Sequence, residues 1–116
     1  MKLLIVGSRS IKEYDLKKHI PCEVTMIITG GADGIDALAE QIADKKRISK
    51  LVLRPQYELY GRGAPLKRNI SIVEYADLVL AFWDGKSRGT KFVIDECKKR
   101  NKSVRIILMN SEQLEG

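Results

Sequence analysis

Five short apolar runs alternate with helix-length segments along the chain, and that alternation limits the possible folds more than any other feature. The runs are Leu3-Leu4-Ile5-Val6, Val24-Thr25-Met26-Ile27-Ile28, Leu51-Val52-Leu53, Leu78-Val79-Leu80-Ala81-Phe82 and Val104-Arg105-Ile106-Ile107-Leu108. The first, second and fourth are almost unbroken in apolar residues, as strands are when helices cover both faces of a parallel sheet. Between the runs the spacing predicts helices over 13–20, 33–47, 65–75 and 90–100. The second is the clearest, because Ile35, Leu38, Ala39, Ile42 and Ala43 form one stripe at helical period. In the third, Leu66, Ile70 and Val73 share a face and Pro65 suits a first turn. In the fourth, Val93, Ile94 and Cys97 are apolar. Pro21 ends the first. Strand–helix alternation implies right-handed crossovers and one doubly wound α/β domain with a mainly parallel sheet. A chain of 116 residues has room for one such domain. It is placed over 1–109, with 110–116 as a polar C-terminal tail. The longest connection, 54–64, carries Tyr57, Tyr60, Gly61 and Gly63 and reads as a functional segment.

Hydrophobic residues at 44% and charged residues at 31% suit one packed core and exclude a disordered chain. No apolar run approaches the roughly 20 residues of a bilayer span. The run from Lys2 to Val6 is too short for a signal-peptide core. A cytoplasmic location without a membrane partner is therefore expected. The net charge of +6 favours anionic partners without choosing among them. Much of the excess sits in Lys45-Lys46-Arg47 and in Lys98-Lys99-Arg100 with Lys102. Both fall at predicted helix C-termini, where the dipole favours cations, and read as solvated faces. Cys22 and Cys97 have no metal-ligand spacing, and His19 is the single histidine. Neither a zinc site nor a Ser-His-Asp triad is expected, and no metal or cofactor is implied.

In doubly wound folds, ligands bind beyond the carboxyl ends of the strands. Here that edge carries three unusual loops. Gly7-Ser8-Arg9-Ser10 follows the first strand. Thr29-Gly30-Gly31-Ala32-Asp33-Gly34-Ile35-Asp36 follows the second. Trp83-Asp84-Gly85-Lys86-Ser87-Arg88-Gly89-Thr90 follows the fourth. Six of the nine glycines lie in these loops, where the backbone would approach a ligand. The second and third loops each open a helix, whose free N–H groups and positive dipole end make a candidate phosphate cradle. Gly89 is expected to need both positive φ and close approach. Neither GxxxxGK[ST] nor GxGxxG is present, so neither a P-loop nor a usual dinucleotide site is supported. Arg68 could pair with a phosphate and Asn69 with a base or ribose. Trp83 is a candidate for stacking on a base. Asp36 and Glu40, at i and i+4, could form an acid pair.

Taken together, Gly7-Ser8-Arg9, Gly30-Gly31-Ala32-Asp33-Gly34-Ile35-Asp36 with Ala39-Glu40, Arg68-Asn69, and 81–90 resemble the small YspA-like members of the SLOG superfamily. The resemblance runs from the first strand to the fourth helix. It implies a Rossmann-like domain with strand order 3-2-1-4-5, in agreement with the apolar first, second and fourth strands. The superfamily includes the Lonely Guy phosphoribohydrolases, which remove the base from nucleoside monophosphates, and the DNA-processing protein A family, which binds single-stranded DNA. The resemblance implies a nucleotide or ADP-ribose-like ligand. It departs from the Lonely Guy pattern PGGxGTxxE, in which a glutamate follows the last Gly-Thr. Here Val93 stands at that position.

Three functions follow as expectations. The first is a sensor or binding module for a nucleotide-derived small molecule. Its ligand would be held by Gly7, Ser8, Arg9, Gly30, Gly31, Ala32, Asp33, Gly34, Asp36, Arg68, Asn69, Trp83, Asp84, Gly85, Ser87, Arg88, Gly89 and Thr90. The second is an N-glycosidase or phosphoribohydrolase acting on nucleoside monophosphates, with Asp36 and Asp84 as candidate catalytic carboxylates. The third and weakest is a single-stranded nucleic-acid binder, since aromatics are only 6% and no basic-aromatic stripe is present. A homo-oligomer is compatible with the resemblance, because related proteins assemble.

Overall fold

A computed structural model describes residues 1–109. The apolar runs become five strands: β1 (Lys2–Gly7), β2 (Met26–Thr29), β3 (Ser49–Val52), β4 (Leu78–Trp83) and β5 (Val104–Leu108). Every pairing is parallel, and the spatial order is β3-β2-β1-β4-β5. The predicted order holds, and the sheet is wholly rather than mainly parallel. β1 and β4 pair from Leu3↔Leu78 to Gly7↔Phe82, so both strands end at the same level.

Three helices of twelve residues flank the sheet: α1 (Ile35–Lys46), α3 (Ala64–Tyr75) and α4 (Arg88–Lys99). Alternation along each strand sends residues to opposite faces. Leu3, Ile5, Leu80 and Phe82 meet α1 through Ile35, Ala39 and Ala43. Leu4, Val6, Val79 and Ala81 meet α3 and α4 through Ile72, Val73, Val93, Ile94 and Cys97. The buried face of α3 is turned from the expected one. Asn69, Ile72 and Val73 point inward, while Leu66 is half exposed.

Two segments differ from the sequence reading. Residues 13–20 form no α-helix and contain only a 3-10 turn at Lys17–His19. The Asp15 carboxylate accepts the Lys17 N–H, a local bond that competes with helix. Ile11 and Leu16 then plug into the α1-side core as a covering strap. The long connection after β3 folds into a single helical turn, α2 (Tyr57–Tyr60), followed by a 3-10 turn at Gly61–Gly63 that leads directly into α3. The tail at 110–116 lies outside the described residues. Among the described residues, no helix is long and apolar enough to cross a membrane.

Candidate functional site

The chain runs β1, β2, β3 toward one edge and then returns to lay β4 on the other side of β1. This reversal leaves a crevice beyond the carboxyl ends of β1 and β4, where doubly wound folds take their ligands. A cleft of about 390 Å³ opens there, within the usual range for small-molecule sites. The three glycine loops and the first half of α3 meet around it. Of the residues expected at a site, Gly7, Ser8, Arg9, Gly30, Ala32, Asp36, Arg68, Asn69, Asp84, Ser87, Gly89 and Thr90 all line it.

The β1 loop is fixed from both sides. The buried Ser8 donates its N–H to the Phe82 carbonyl at 3.2 Å, and its hydroxyl accepts the Asp84 N–H at 3.3 Å. Its carbonyl accepts the Ile11 and Ile35 N–H groups. A β-carbon on Gly7 would fall 2.5 Å from Ile35, so β1 and α1 touch there. Gly34, at φ 73°, sits against the Ser8 and Arg9 carbonyls and shapes the loop without lining the cleft.

The two candidate phosphate cradles are unequal. At the start of α1 the buried Asp36 carboxylate already accepts the Ala32 N–H at 3.2 Å. That helix end therefore carries its own negative group. The first turn of α4 has no acid. Its N-cap is Ser87, whose hydroxyl accepts the Thr90 N–H, while Asp84 accepts the Lys86 and Ser87 N–H groups at 2.8 Å each. Gly89 follows in the cleft wall, with nothing within 4 Å of where its β-carbon would be. Its φ is not positive. The expectation of a strained glycine is corrected: Gly89 keeps the space in front of the helix end open, and its backbone conformation is ordinary. Within the three glycine loops, positive φ occurs instead at Gly31, Gly34 and Gly85, where the turns need it.

The two candidate carboxylates also divide. Burial pushes the Asp84 carboxyl up, but the Ser87 and Lys86 N–H groups and the Ser8 hydroxyl outweigh it, and the net shift is down. Asp84 is thus an ionised brace for the β4–α4 loop. Burial pushes the Asp36 carboxyl above the usual carboxylate range, and the Ala32 N–H and the Arg68 guanidinium offset this only in part. Arg68 donates to the Gly30 carbonyl at 2.7 Å and to Asn69 at 2.8 Å. Two of its five donors are used this way, and the rest remain for an anion.

Besides Gly34, five of the expected site residues, Gly31, Asp33, Trp83, Gly85 and Arg88, do not line this cleft. Trp83 donates its indole N–H to the Ser87 carbonyl at 3.0 Å and packs on the α4 side of the core, so it holds the loop and does not stack in the cleft. Arg88 is exposed at the start of α4 and does not line the cleft. Gly85 serves a turn at φ 82°. Gly31 and Asp33 line an adjoining chamber instead, together with Arg54, Pro55 and Tyr57. Sequence reasoning did not single out Arg54 or Pro55 as site residues. The available signal was position, because both directly follow a strand at the ligand edge. It also did not place Val6, Ser10, Ile72 and Val93 in the cleft wall. Val93 lies one helical turn beyond Gly89. His19 stands apart from the cleft, within 2.9 Å of the Tyr14 hydroxyl and edge-on to Phe82. No family model, curated protein or solved structure matches the chain.

Proposed function

We propose that this chain is a small-molecule binding module of the SLOG type, with a nucleotide or nucleotide-derived ligand whose phosphate docks at the N-terminus of α4. One observation carries this reading. At the crevice where strand order reverses, a helix with no acid in its first turn opens onto the cleft at Gly89, and the nearby Asp84 carboxylate is already engaged by the Lys86 and Ser87 N–H groups. An oriented dipole and unused N–H groups make that position favourable for an anion. The Ser8–Asp84 and Ser87–Thr90 bonds hold the donors in place before any ligand arrives, which lowers the ordering cost of binding.

Calorimetric titration with AMP and with ADP-ribose tests the reading. The parent should bind at least one of them. Gly89→Val should fold with an unchanged melting temperature, because a side chain there meets open space, and it should bind at least about tenfold more weakly, a loss of about 1.4 kcal/mol. Equal affinity in the variant would place the phosphate elsewhere. No binding of either nucleotide by the parent would end the nucleotide reading.

Hydrolysis is a second reading with one observation in its favour. Asp36 sets in the cleft wall a carboxyl whose pKa burial raises, the direction in which a general acid is tuned. Against it, the apolar Val93 faces the cleft where the Lonely Guy pattern has glutamate. Release of free base from nucleoside monophosphates, lost in Asp36→Ala, would favour the enzyme.

A further inference from the structure

Gly30 and Gly31 lie in succession after β2, and each lies beneath a different guanidinium. A β-carbon on Gly30 would stand 2.5 Å from Nη1 of Arg68 and 2.9 Å from its guanidinium carbon. On Gly31, at a backbone φ of 75°, it would stand 2.9 Å from Cγ1 of Val52, 3.0 Å from Cγ of Arg54 and 3.1 Å from that guanidinium carbon. Both arginines therefore lie directly over the Gly30-Gly31 backbone. Arg54 comes from the end of β3 and Arg68 from α3. Arg9, from the β1 loop, is near enough to Arg68 to oppose its charge. All three line a second chamber of about 250 Å³ beside the cleft, and Arg9, Gly30, Ala32 and Arg68 are common to the walls of both. Among the chamber's lining residues only Asp33 is acidic. Asp36 faces Arg68, but among the described residues neither Arg9 nor Arg54 is in an ion pair. Guanidiniums gathered at one mouth repel each other and concentrate anions, and their planar forks match phosphate oxygens.

We propose that this chamber is a second anion subsite, separate from the N-terminus of α4, and that the ligand is a nucleotide carrying two phosphate groups, one for each subsite. The second half of this statement rests on the nucleotide reading above; the first does not.

The test begins with inorganic phosphate, titrated into the uniformly ¹⁵N-labelled chain at low salt. The amide signals of Gly89 and Thr90 report the α4 end. The Gly31 amide and the Arg54 Nε–H report the second chamber. Both sets should shift, with separate saturation. Arg54→Gln, an exposed change that should leave the fold intact, should abolish the Gly31 shift and keep those of Gly89 and Thr90. Shifts confined to Gly89 and Thr90 would overturn the second subsite and leave the first standing. Shifts confined to Gly31 and Arg54 would support the subsite and overturn the α4 phosphate site. No shift at all would overturn both. Calorimetry then compares AMP with adenosine 3′,5′-bisphosphate. The bisphosphate should bind about tenfold more tightly, or about 1.4 kcal/mol, and Arg54→Gln should erase that gain while leaving AMP affinity in place. Equal affinities in the parent, or an equal loss for both nucleotides in the variant, would overturn the two-phosphate ligand.

Discussion

Asp36 combines burial, a hydrogen bond and a nearby cation in one side chain, and their balance can be read in the stability of the fold. Desolvation raises its folded pKa above the unfolded value despite the Ala32 N–H and Arg68. For an acid with a raised folded pKa, the native state binds more protons than the unfolded chain across the window between the two values. Stability therefore falls as pH rises through that window. Asp36→Asn removes the titration but keeps an oxygen that can accept the Ala32 N–H. Relative to the parent, the variant should gain stability as pH rises from roughly 4, the ordinary carboxylate value, toward neutrality. Denaturant midpoints measured in pairs across that range would show it. A gap that stays constant or shrinks with rising pH would mean that the Arg68 charge outweighs burial. The sequence reading named Asp36 among the candidate acids, together with Asp84. Sequence alone does not separate them, because both lie within glycine loops at the same sheet edge. The difference lies in depth and donors: Asp84 gathers two backbone N–H groups near the surface, whereas Asp36 is enclosed by the loop before its own helix.

Among the elements, all five strands and α1, α3 and α4 are legible from sequence, each falling within two residues of its predicted bounds. α3 was placed correctly, but its inward face was misread, because a polar residue occupies it. Asn69 is buried on the side that faces the site, with its oxygen held by Arg68. The misread face is thus the face that serves the site, as expected where function breaks a hydrophobic pattern. The segment 13–20 failed for a local reason, the Asp15 bond to the Lys17 N–H, which helical periodicity does not register. Helix ends carry a further prediction. α1 and α4 both close with a left-handed residue, Arg47 at φ 58° and Asn101 at φ 54°. In each case the next N–H reaches back five residues, Ile48 to Ala43 and Lys102 to Cys97. This is the closing geometry that glycine favours and asparagine tolerates. Arg47 is exposed and has no β-carbon advantage there. Arg47→Gly should stabilise the chain by about 0.5–1 kcal/mol, since the relief of left-handed strain exceeds the extra unfolded-state entropy. Urea unfolding would measure it, and a loss of stability would show that the arginine side chain contributes more than its strained backbone costs.

For the molecule as a whole, the net charge of +6 does not act as one field on the cleft. α1 and α4 begin at the cleft and carry their last-turn lysines at the far end of twelve-residue helices. At about 1.5 Å per residue the separation is roughly 15–17 Å. This is about two Debye lengths at physiological salt, about 8 Å each. A ligand at the cleft should therefore sense Arg9, Arg54 and Arg68 and hardly notice Lys45, Lys46, Lys98 and Lys99. The far end is also not uniformly solvated, which corrects the reading of the second run. Arg100 bridges Glu74 and Glu96 at 3.0 Å each, and Lys102 donates to the Ala76 and Glu74 carbonyls at the end of α3. These contacts tie α3 to α4 on the side of the sheet away from α1. The two runs should thus respond differently. Lys45→Glu with Lys46→Glu should leave both nucleotide affinity and unfolding free energy nearly unchanged, the latter within about 0.5 kcal/mol, as for ordinary surface changes. Lys102→Ala should leave affinity unchanged but cost about 1 kcal/mol of stability, because it removes charged donors from the α3 carbonyls. Parallel calorimetry and urea unfolding of the two variants would read both quantities. A tenfold loss of nucleotide affinity in the α1 variant would show that the basic end of the molecule reaches the ligand. That would point to an anion long enough to run from the cleft along the helix, as single-stranded nucleic acid is.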